Sequence, residues 1–302
     1  DESGVDLKDS ENLTPDQIAQ RLSVHRRVNF IIEKMNYYGH DGLKRKALGF
    51  CMTIAHAEFM AAEFNKRGIP SIALSGGDKV TRREAYTKLL EAEDSDLEVI
   101  FTVDIFNEGI DIPGVNLVMM LRPTQSSIIF TQQLGRGLRK KDNKEFLTVL
   151  DFIGNYSKSF LIAIALNGRR FYDKDSVKTS VKRNFSDLPG ATHIQLDEVS
   201  KQQILEQIDF ENFSTLAYLK NTYNEFKNLN SGRIPWLLQD YLKVDAAPDP
   251  VKFFSRSGSF KAKNYIEFLD KVEPNNAQVM ELQSNPLFMA MLTDLSQKLP
   301  LV

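Results

Sequence analysis

The sequence has a single cysteine, Cys51, among its 302 residues. One cysteine excludes an internal disulfide and any zinc site with several thiolate ligands, and it is typical of proteins kept in a reducing cytosol. The spacing of cysteine and histidine residues that marks metal sites is also missing, so we expect no metal ligands in this chain. No run of about 18 apolar residues occurs, so we expect no membrane-spanning helix.

The N-terminal residues DESGVDLKDSENL are acidic and lack the basic and then apolar layout of a secretory signal. The chain also lacks an initiator methionine, and we expect it to be a fragment of a longer, cytoplasmic protein. Apolar residues make up 42% and charged residues 26%, which is typical of a soluble globular protein. Because the net charge is only −2, any argument for nucleic-acid binding has to come from local clusters of cations.

Apolar strands alternate with helices between about residues 37 and 168. The segments KALGFCMT, PSIALSGG, LEVIFTVD, VNLVMML and FLTVLDF are predicted strands, and the helical patterns lie between them. This alternation predicts an α/β fold with a largely parallel sheet flanked by helices. Before it, LTPDQIAQRLSVHRRVNFIIEKMNYYG predicts one helix that begins with a capping box and ends at Gly39.

Beyond residue 168 the alternation fades. The basic segment GRRFYDKDSVKTSVKRNFSDLPG is predicted to be a solvated linker or an extended arm that follows phosphates, and ATHIQLDEVSKQQILEQIDF a strand followed by a helix. The segment FFSRSGSFKAKNY mixes aromatic residues with cations, which favours either base stacking or simple packing. We therefore predict three parts: a connector helix over 1–36, the α/β domain over 37–168, and a basic linker with a smaller, mostly α-helical domain over 169–302.

Two segments place unusual residues after strand ends, where ligands bind in α/β sheets. In FTVDIFNEGIDIPG, Gly109 permits a tight backbone and the Asp111 carboxylate can accept hydrogen bonds from ribose hydroxyls. The alternative is a surface loop in which Asp111 caps a turn.

The second segment, FTQQLGRGLRKK, places Gln132, Arg136 and Arg139 on one helix face. Two guanidinium groups on one face suit a phosphate, and the neighbouring glycines permit its close approach although each costs the helix roughly 1 kcal/mol. The alternative is a solvated basic helix end that interacts with the helix dipole.

Taken together, EGIDIP followed by QQLGRGLR resembles motifs V and VI of superfamily 2 helicases. LGFCMTIAHAEFMAAEF is similar to the region of motif IV, and LSGGDKVTRREAYTKLLE to the segment after it. The resemblance covers about residues 40–160. LDFIGNY and the following segments resemble a bacterial subgroup of restriction-type DEAD/DEAH helicases that carry a C-terminal domain of unknown function.

The resemblance implies a RecA-like domain, the second of two that enclose ATP. It implies that Arg136 and Arg139 reach the γ-phosphate as arginine fingers, that Gln132, Gly109 and Asp111 contact the nucleotide, and that four residues contact the nucleic-acid backbone. Those four are Thr53, Ser75, Gly76 and Thr102. Where DEAD-box proteins carry a motif V threonine this chain has Val103, which indicates a restriction-type helicase rather than a DEAD-box RNA helicase.

The chain has no G-x-x-x-x-G-K-[ST] phosphate loop and no D-E-A-D or D-E-x-H run. ATP and Mg²⁺ are therefore expected to be bound mainly by a first RecA-like domain of the same full-length protein. The resemblance implies the second motor domain of an ATP-dependent DNA helicase or translocase, an ATP hydrolase that acts on nucleic acid; it favours DNA, while RNA stays open as the alternative.

Two alternatives remain open. One is a nucleic-acid-binding or scaffold module that does not hydrolyse ATP. The other is a small-molecule enzyme on a Rossmann-like sheet, which predicts a glycine-rich loop after the first strand, whereas CMTIAHAEF contains no glycine.

Overall fold

The chain divides into two compact units. The first comprises Asp1–Ala163 and Ala191–Gln207, and the second comprises Ile164–Gly190 and Ile208–Val302. The computed structural model describes residues 5, 7, 12–74, 79–90, 96–103, 114–124, 126–127, 130–131, 144–152, 156, 158–167, 174–186, 188, 192–242, 250–254, 260 and 262–297. The three predicted domain ranges stay predictions. Within the described residues, no helix is both long and apolar enough to cross a membrane.

A parallel sheet of five strands forms the first unit, in the order β2-β3-β1-β4-β5. Its strands are β1 (Ala47–Phe50), β2 (Ser71–Leu74), β3 (Val99–Thr102), β4 (Leu117–Met120) and β5 (Thr148–Asp151). Every residue of β1, β3 and β4 is buried, because helices cover both faces of the sheet. The predicted α/β fold class, a parallel sheet flanked by helices, and all five predicted strands are confirmed.

The helices described before β3 are α1 (Pro15–Leu22), α2 (His25–Tyr38), α3 (Ile54–Lys66) and α4 (Lys79–Leu90). The capping box predicted at the start of α1 is confirmed, with reciprocal hydrogen bonds between Thr14 and Gln17. The prediction of one continuous helix from Thr14 to Gly39 is wrong, because the helix is interrupted at Ser23 and Val24. The Ser23 hydroxyl donates to the carbonyl of Ala19 at 2.8 Å, and Val24 adopts an extended backbone that starts the new helix.

The second helix of the predicted connector packs directly on the sheet. Val28, Ile31 and Met35 lie on one face of α2, are fully buried, and belong to the same hydrophobic core as the strands. The connector therefore contributes to the core of the α/β unit, and its own stability depends on that packing.

A buried carboxylate holds α2 and α3 together. Glu63 on α3 accepts hydrogen bonds from Lys66 at 2.7 Å and Arg67 at 2.7 Å, and its Oε2 lies 2.6 Å from Nδ1 of His25 on α2. Arg67 also donates to the side chain of Asn29 on α2 at 2.8 Å. These hydrogen bonds, from Lys66 first and then Arg67 and His25, lower the pKa of Glu63 to about 2.

The depressed pKa predicts a pH-dependent contribution to stability. A glutamate carboxyl group ordinarily has a pKa of about 4.3. The contribution of Glu63 to the free energy of unfolding should therefore be complete above that pH and lost as the pH falls toward about 2. Glu63→Gln should lower the urea midpoint at pH 7, and the difference from the unaltered chain should shrink between pH values of about 4 and 2. Glu58→Gln, on the exposed side of α3, is the matched control and should change neither the urea midpoint at pH 7 nor its dependence on pH. A difference that is constant with pH would contradict this role.

After β5 the described residues are helical or irregular and contain no strand, which confirms the predicted mostly α-helical second region. The helices are α5 (Phe160–Asn167), α6 (Lys174–Lys182), α7 (Glu198–Phe210), α8 (Leu216–Leu229), α9 (Leu238–Leu242), α10 (Tyr265–Val272), α11 (Ala277–Gln283) and α12 (Pro286–Gln297), with a 3-10 turn at Pro250–Phe253. The strand predicted before α7 is wrong, because residues 192–197 adopt no regular structure. The extended arm is wrong in its centre, where α6 forms and buries Val177 and Val181.

Aromatic side chains form the core of the second unit. Tyr223, Tyr241, Phe253, Tyr265 and Phe268 are buried against one another, with Phe253 stacked on Phe268 at a centroid distance of 4.2 Å. The hydroxyl of Tyr265 donates to the carbonyl of Pro235 at 2.6 Å and accepts from Tyr241 at 2.8 Å.

This core decides between the two interpretations of the segment FFSRSGSFKAKNY. Phe253, Phe260 and Tyr265 are each less than a tenth exposed. Rings that are already packed in a core cannot stack on nucleobases, so the packing interpretation is confirmed for these residues.

Candidate nucleotide and nucleic-acid site at the carboxyl edge of the sheet

The carboxyl ends of the five strands are aligned in register. Phe50 of β1 pairs with Thr102 of β3 and Met120 of β4, while Leu74 of β2 also pairs with Thr102 and Asp151 of β5 with Met120. The loops that follow these residues therefore leave from one edge. In open α/β sheets this edge is where ligands bind.

Two of the four predicted nucleic-acid contacts lie within the described residues. Thr53 follows β1 and is the N-cap of α3, where its hydroxyl accepts from the backbone N–H of His56 at 3.2 Å. Thr102 ends the neighbouring strand β3, is only 3% exposed, and accepts a backbone hydrogen bond from Cys51 at 2.8 Å. The structure thus brings these two strand ends side by side, but it buries the Thr102 side chain.

Seven of the predicted site residues lie outside the described residues. These are Ser75, Gly76, Gly109, Asp111, Gln132, Arg136 and Arg139. Their positions in the sequence are informative: Ser75 directly follows Leu74, the last residue of β2, and Asp111 lies between β3 and β4. Their roles stay predictions.

The start of the predicted arginine helix is anchored in the protein. Phe130 is 2% exposed and its backbone N–H donates to Ser126 at 3.1 Å, while the Thr131 hydroxyl donates to the carbonyl of Ser127 at 2.9 Å. Ser126 and Ser127 are themselves buried. The chain therefore has a fixed helical start immediately before Gln132.

His56 fixes the turn between β1 and α3. Its Nδ1 accepts a hydrogen bond from the backbone N–H of Met52 at 3.3 Å, so in the neutral ring the proton is on Nε2. Burial, with a smaller contribution from the charge of Arg27, lowers the pKa of His56 to about 3. The ring therefore stays neutral near pH 7 and keeps its acceptor. Thr53 and His56 together hold both ends of the turn that carries the predicted contact.

Sequence reasoning assigned no role to His56, although a signal was present. In a capping box, a threonine N-cap is followed three residues later by a side chain that reaches back to a backbone N–H. Thr53 and His56 have this spacing, with histidine in place of the usual glutamate or glutamine, and the ring bonds to Met52, one residue before the N-cap.

Arg27 connects helix α2 to the end of β5. The side chain is 1% exposed, and its Nη2 donates to the carbonyl of Phe152 at 2.9 Å. Burial lowers the pKa of Arg27 to about 10, and the nearby charge of Asp151 opposes this shift, so the group remains a cation near neutral pH. The adjacent Arg26 is exposed, and nothing in the pair of arginines indicates which of them the fold buries.

In the described part of the chain, no group of three or more His, Cys, Asp or Glu side chains is arranged so that it could hold a metal ion. The donors predicted from the sequence are two guanidinium groups, which fit the phosphates of ATP and do not bind Mg²⁺.

Comparison with known proteins gives a direct match to a family. The family model described as "Helicase conserved C-terminal domain" matches residues 28–141. The putative ATP-dependent helicase IRC3 of Saccharomyces cerevisiae is 28% identical over 207 residues, which are 67% of this chain and 29% of that protein. The EcoKI type I restriction enzyme endonuclease subunit of Escherichia coli is 29% identical over 137 residues, 41% of this chain and 12% of that protein.

Similar solved structures include a type ISP restriction-modification enzyme, LlaBIII, bound to DNA. It has a TM-score of 0.42 and 16% identity, and the match covers 92% of this chain and 23% of that one. Domain 2 of the DEAD-box helicase Mss116p, bound to an RNA duplex, has a TM-score of 0.36 and 14% identity, and the match covers 90% of this chain and 91% of that one. The chain spans less than a third of the length of the curated relatives it matches.

The matched range begins within helix α2, includes all of β1 to β4, and ends at the predicted arginine segment. It contains every residue that the sequence assigned to the nucleotide or nucleic-acid site. The predicted resemblance to helicases is confirmed, because residues 28–141 match the helicase conserved C-terminal domain.

Proposed function

We propose that this chain supplies the second motor domain of an ATP-dependent DNA helicase or translocase. The observation that carries the proposal is the helicase C-terminal domain match, which lies on a parallel sheet whose strand ends are aligned at one edge. The curated relatives are named as ATP-dependent helicases and as a subunit of a restriction enzyme, which supports the restriction-type subgroup.

In this proposal the chain contributes cations and the first domain contributes the phosphate loop and the Mg²⁺ site. Arg136 and Arg139 bind the γ-phosphate when the two domains close, Gln132 helps to position the phosphates, and Gly109 and Asp111 contact the nucleotide. Exposed guanidinium groups in water gain little from a phosphate because the charges are screened. In a closed site with little water the same charges act far more strongly.

The nucleic-acid track runs along the turns after β1, β2 and β3. Thr53, the N-cap of α3, is the more accessible of the two described members, since it is half-buried whereas Thr102 is buried. Val103 and the restriction-enzyme relative favour DNA over RNA.

The contribution of Asp111 is directly testable. If its carboxylate accepts hydrogen bonds from the ribose, Asp111→Ala in the full-length protein should weaken ATP binding by about 1–3 kcal/mol, the usual value for a hydrogen bond to a charged group. Isothermal titration calorimetry with a non-hydrolysable ATP analogue measures the change. Asp96→Ala, at an exposed aspartate before β3, is the matched control and should bind as the unaltered protein does. Equal affinities for Asp111→Ala and the control would exclude the ribose contact.

A further inference from the structure

Helix α6 carries a row of lysines on one face. Lys174, Lys178 and Lys182 are spaced four residues apart, so they follow one another along the helix at about 6 Å per step. Val177 and Val181, also four residues apart, are fully buried on the adjoining side of the same helix. The lysines therefore lie along the edge of the buried side of α6, where Lys174 and Lys178 are half-buried and Lys182 is exposed.

The lysines converge on an anion that the protein itself provides. The Nζ of Lys178 lies 2.6 Å from Oδ1 of Asp209, and the Nζ of Lys174 donates to the main-chain carbonyl of Asp209 at 2.9 Å. The hydrogen bond from Lys178, followed by the charges of Lys178, Lys174 and Lys182, lowers the pKa of Asp209. The carboxylate therefore occupies a position where three ammonium groups favour negative charge.

An exposed aromatic side chain lies next to this carboxylate. Phe210 follows Asp209 at the end of α7 and is 91% exposed, although a phenylalanine of a packed helix is ordinarily buried. A row of cations that tracks a backbone, with an aromatic ring available to stack on a base, is the combination by which proteins bind single-stranded nucleic acid.

We propose that the lysine face of α6, together with Phe210, is a second nucleic-acid-binding surface, and that it binds the backbone and a base of a single strand. The surface belongs to the second unit and is separate from the helicase domain match. The proposal rests on the proposed motor function, because it assigns to the second unit a part of the strand on which that motor acts. An acidic peptide could bind the same lysines, but its binding would not depend on the Phe210 ring.

Asp209 acts as a competitor in this arrangement, because its carboxylate occupies the place of a phosphate oxygen. Removing a lysine and removing the carboxylate should therefore change nucleic-acid affinity in opposite directions. Both changes break the same ion pair, so a loss of folding stability cannot produce both results.

The test is binding of a fluorescent thymidine oligonucleotide to the 302-residue chain at several salt concentrations. Lys178→Gln with Lys182→Gln should weaken binding and flatten the plot of log affinity against log salt by about 1.4, the value for two lost phosphate contacts on a single strand. Asp209→Asn should tighten binding by about two- to fivefold at low salt, as expected for one exposed ion pair.

Two further variants separate charge from stacking. Phe210→Ala should weaken binding by about tenfold without changing the salt slope, because stacking releases no counterions. Lys220→Gln, at an exposed lysine of α8 in the same unit, is the matched control and should change neither the affinity nor the slope. Thermal midpoints of all variants identify any that fail to fold.

Two results would overturn the proposed surface. One is that the double lysine variant and Phe210→Ala bind with the same affinity and salt slope as Lys220→Gln. The other is that the unaltered chain does not bind the oligonucleotide at low salt. A loss in the lysine pair with no loss in Phe210→Ala would also overturn the proposed surface, because it would leave phosphate contacts without the base stacking that the proposal requires. None of these results touches the proposed motor function, which ATP hydrolysis by the full-length protein decides separately.

Discussion

Arg136→Ala in the full-length protein is expected to reduce nucleic-acid-stimulated ATP hydrolysis by about 10³-fold or more, the range measured for arginine fingers in GTPases. The reason is electrostatic: negative charge spreads over the γ-phosphate oxygens as the phosphoryl group transfers, and a guanidinium placed there stabilises that charge. Nucleic-acid binding should stay nearly unchanged, because the arginine belongs to the nucleotide side of the proposed site. Steady-state hydrolysis with and without DNA measures the first effect, and oligonucleotide binding measures the second.

Two companion variants sharpen this result. Arg136→Lys should restore little of the rate, because an ammonium group keeps the charge but lacks the planar fork that binds two phosphate oxygens. Arg233→Ala, at an exposed arginine of the second unit, is the matched control and should hydrolyse ATP at the normal rate. Near-normal turnover by Arg136→Ala would contradict the arginine-finger assignment, whatever the lysine variant does.

Phe101→Ala is expected to cost about 3–5 kcal/mol of unfolding free energy, as large-to-small changes in a core do. Phe101 lies in the middle of β3, is fully buried, and meets Phe64 of α3 edge to face at a centroid distance of 4.9 Å. Its ring also covers Gly49, its partner in β1. A Cβ at Gly49 would lie 2.4 Å from Cδ1 of Phe101, so Gly49→Ala should cost about 1–3 kcal/mol through overpacking.

The two changes should compensate each other. Once the ring is removed, the methyl group of Gly49→Ala enters the space that the ring vacated, so the double variant should be more stable than the two single costs together predict. Urea unfolding followed by circular dichroism measures the free energies, and Trp236, the only tryptophan, gives a separate signal from the second unit. Leu43→Ala, at a fully exposed side chain, is the control and should change nothing. Additive costs would contradict the close packing of Gly49 and Phe101.

The strands were predictable because their signal is local. Apart from Gly49 and Thr102, every residue of ALGF, VIFT and LVMM is apolar, as is typical of strands covered on both faces, and each lies between helical patterns. The break in the first helix was not predictable from periodicity, because the apolar residues continue across Ser23 and Val24. There the extended backbone of Val24 and the side-chain bond of Ser23 prevail over the apolar pattern.

The second unit was harder to predict, and for a different reason. The three lysines and one aspartate of α6 indicate a linker when they are counted, yet two valines four residues apart are enough to pack the segment as a helix. A charge count records the exposed face of such a helix and misses the narrow apolar one. Packing with the rest of the unit, which the local sequence does not contain, decides the outcome.

The candidate site was also predictable only in part. The parallel direction of the strands, and hence the edge at which the site lies, follows from the alternation of strands and helices. The buried side chains that support this edge do not: Arg27 bonds to the backbone of Phe152 after β5, and His56 bonds to the backbone of Met52 after β1. Such contacts leave a signal in the sequence only where a capping pattern exists, as it does for Thr53 and His56.

The central claim is that this chain is one half of a motor whose catalytic cleft forms only with a first RecA-like domain. The most direct measurement compares steady-state ATP hydrolysis, with and without single-stranded DNA, by the 302-residue chain alone and by the full-length protein that contains it. We predict no turnover by the chain alone and DNA-stimulated turnover by the full-length protein. Robust hydrolysis by the chain alone, or a full-length protein that binds DNA without hydrolysing ATP, would contradict the account.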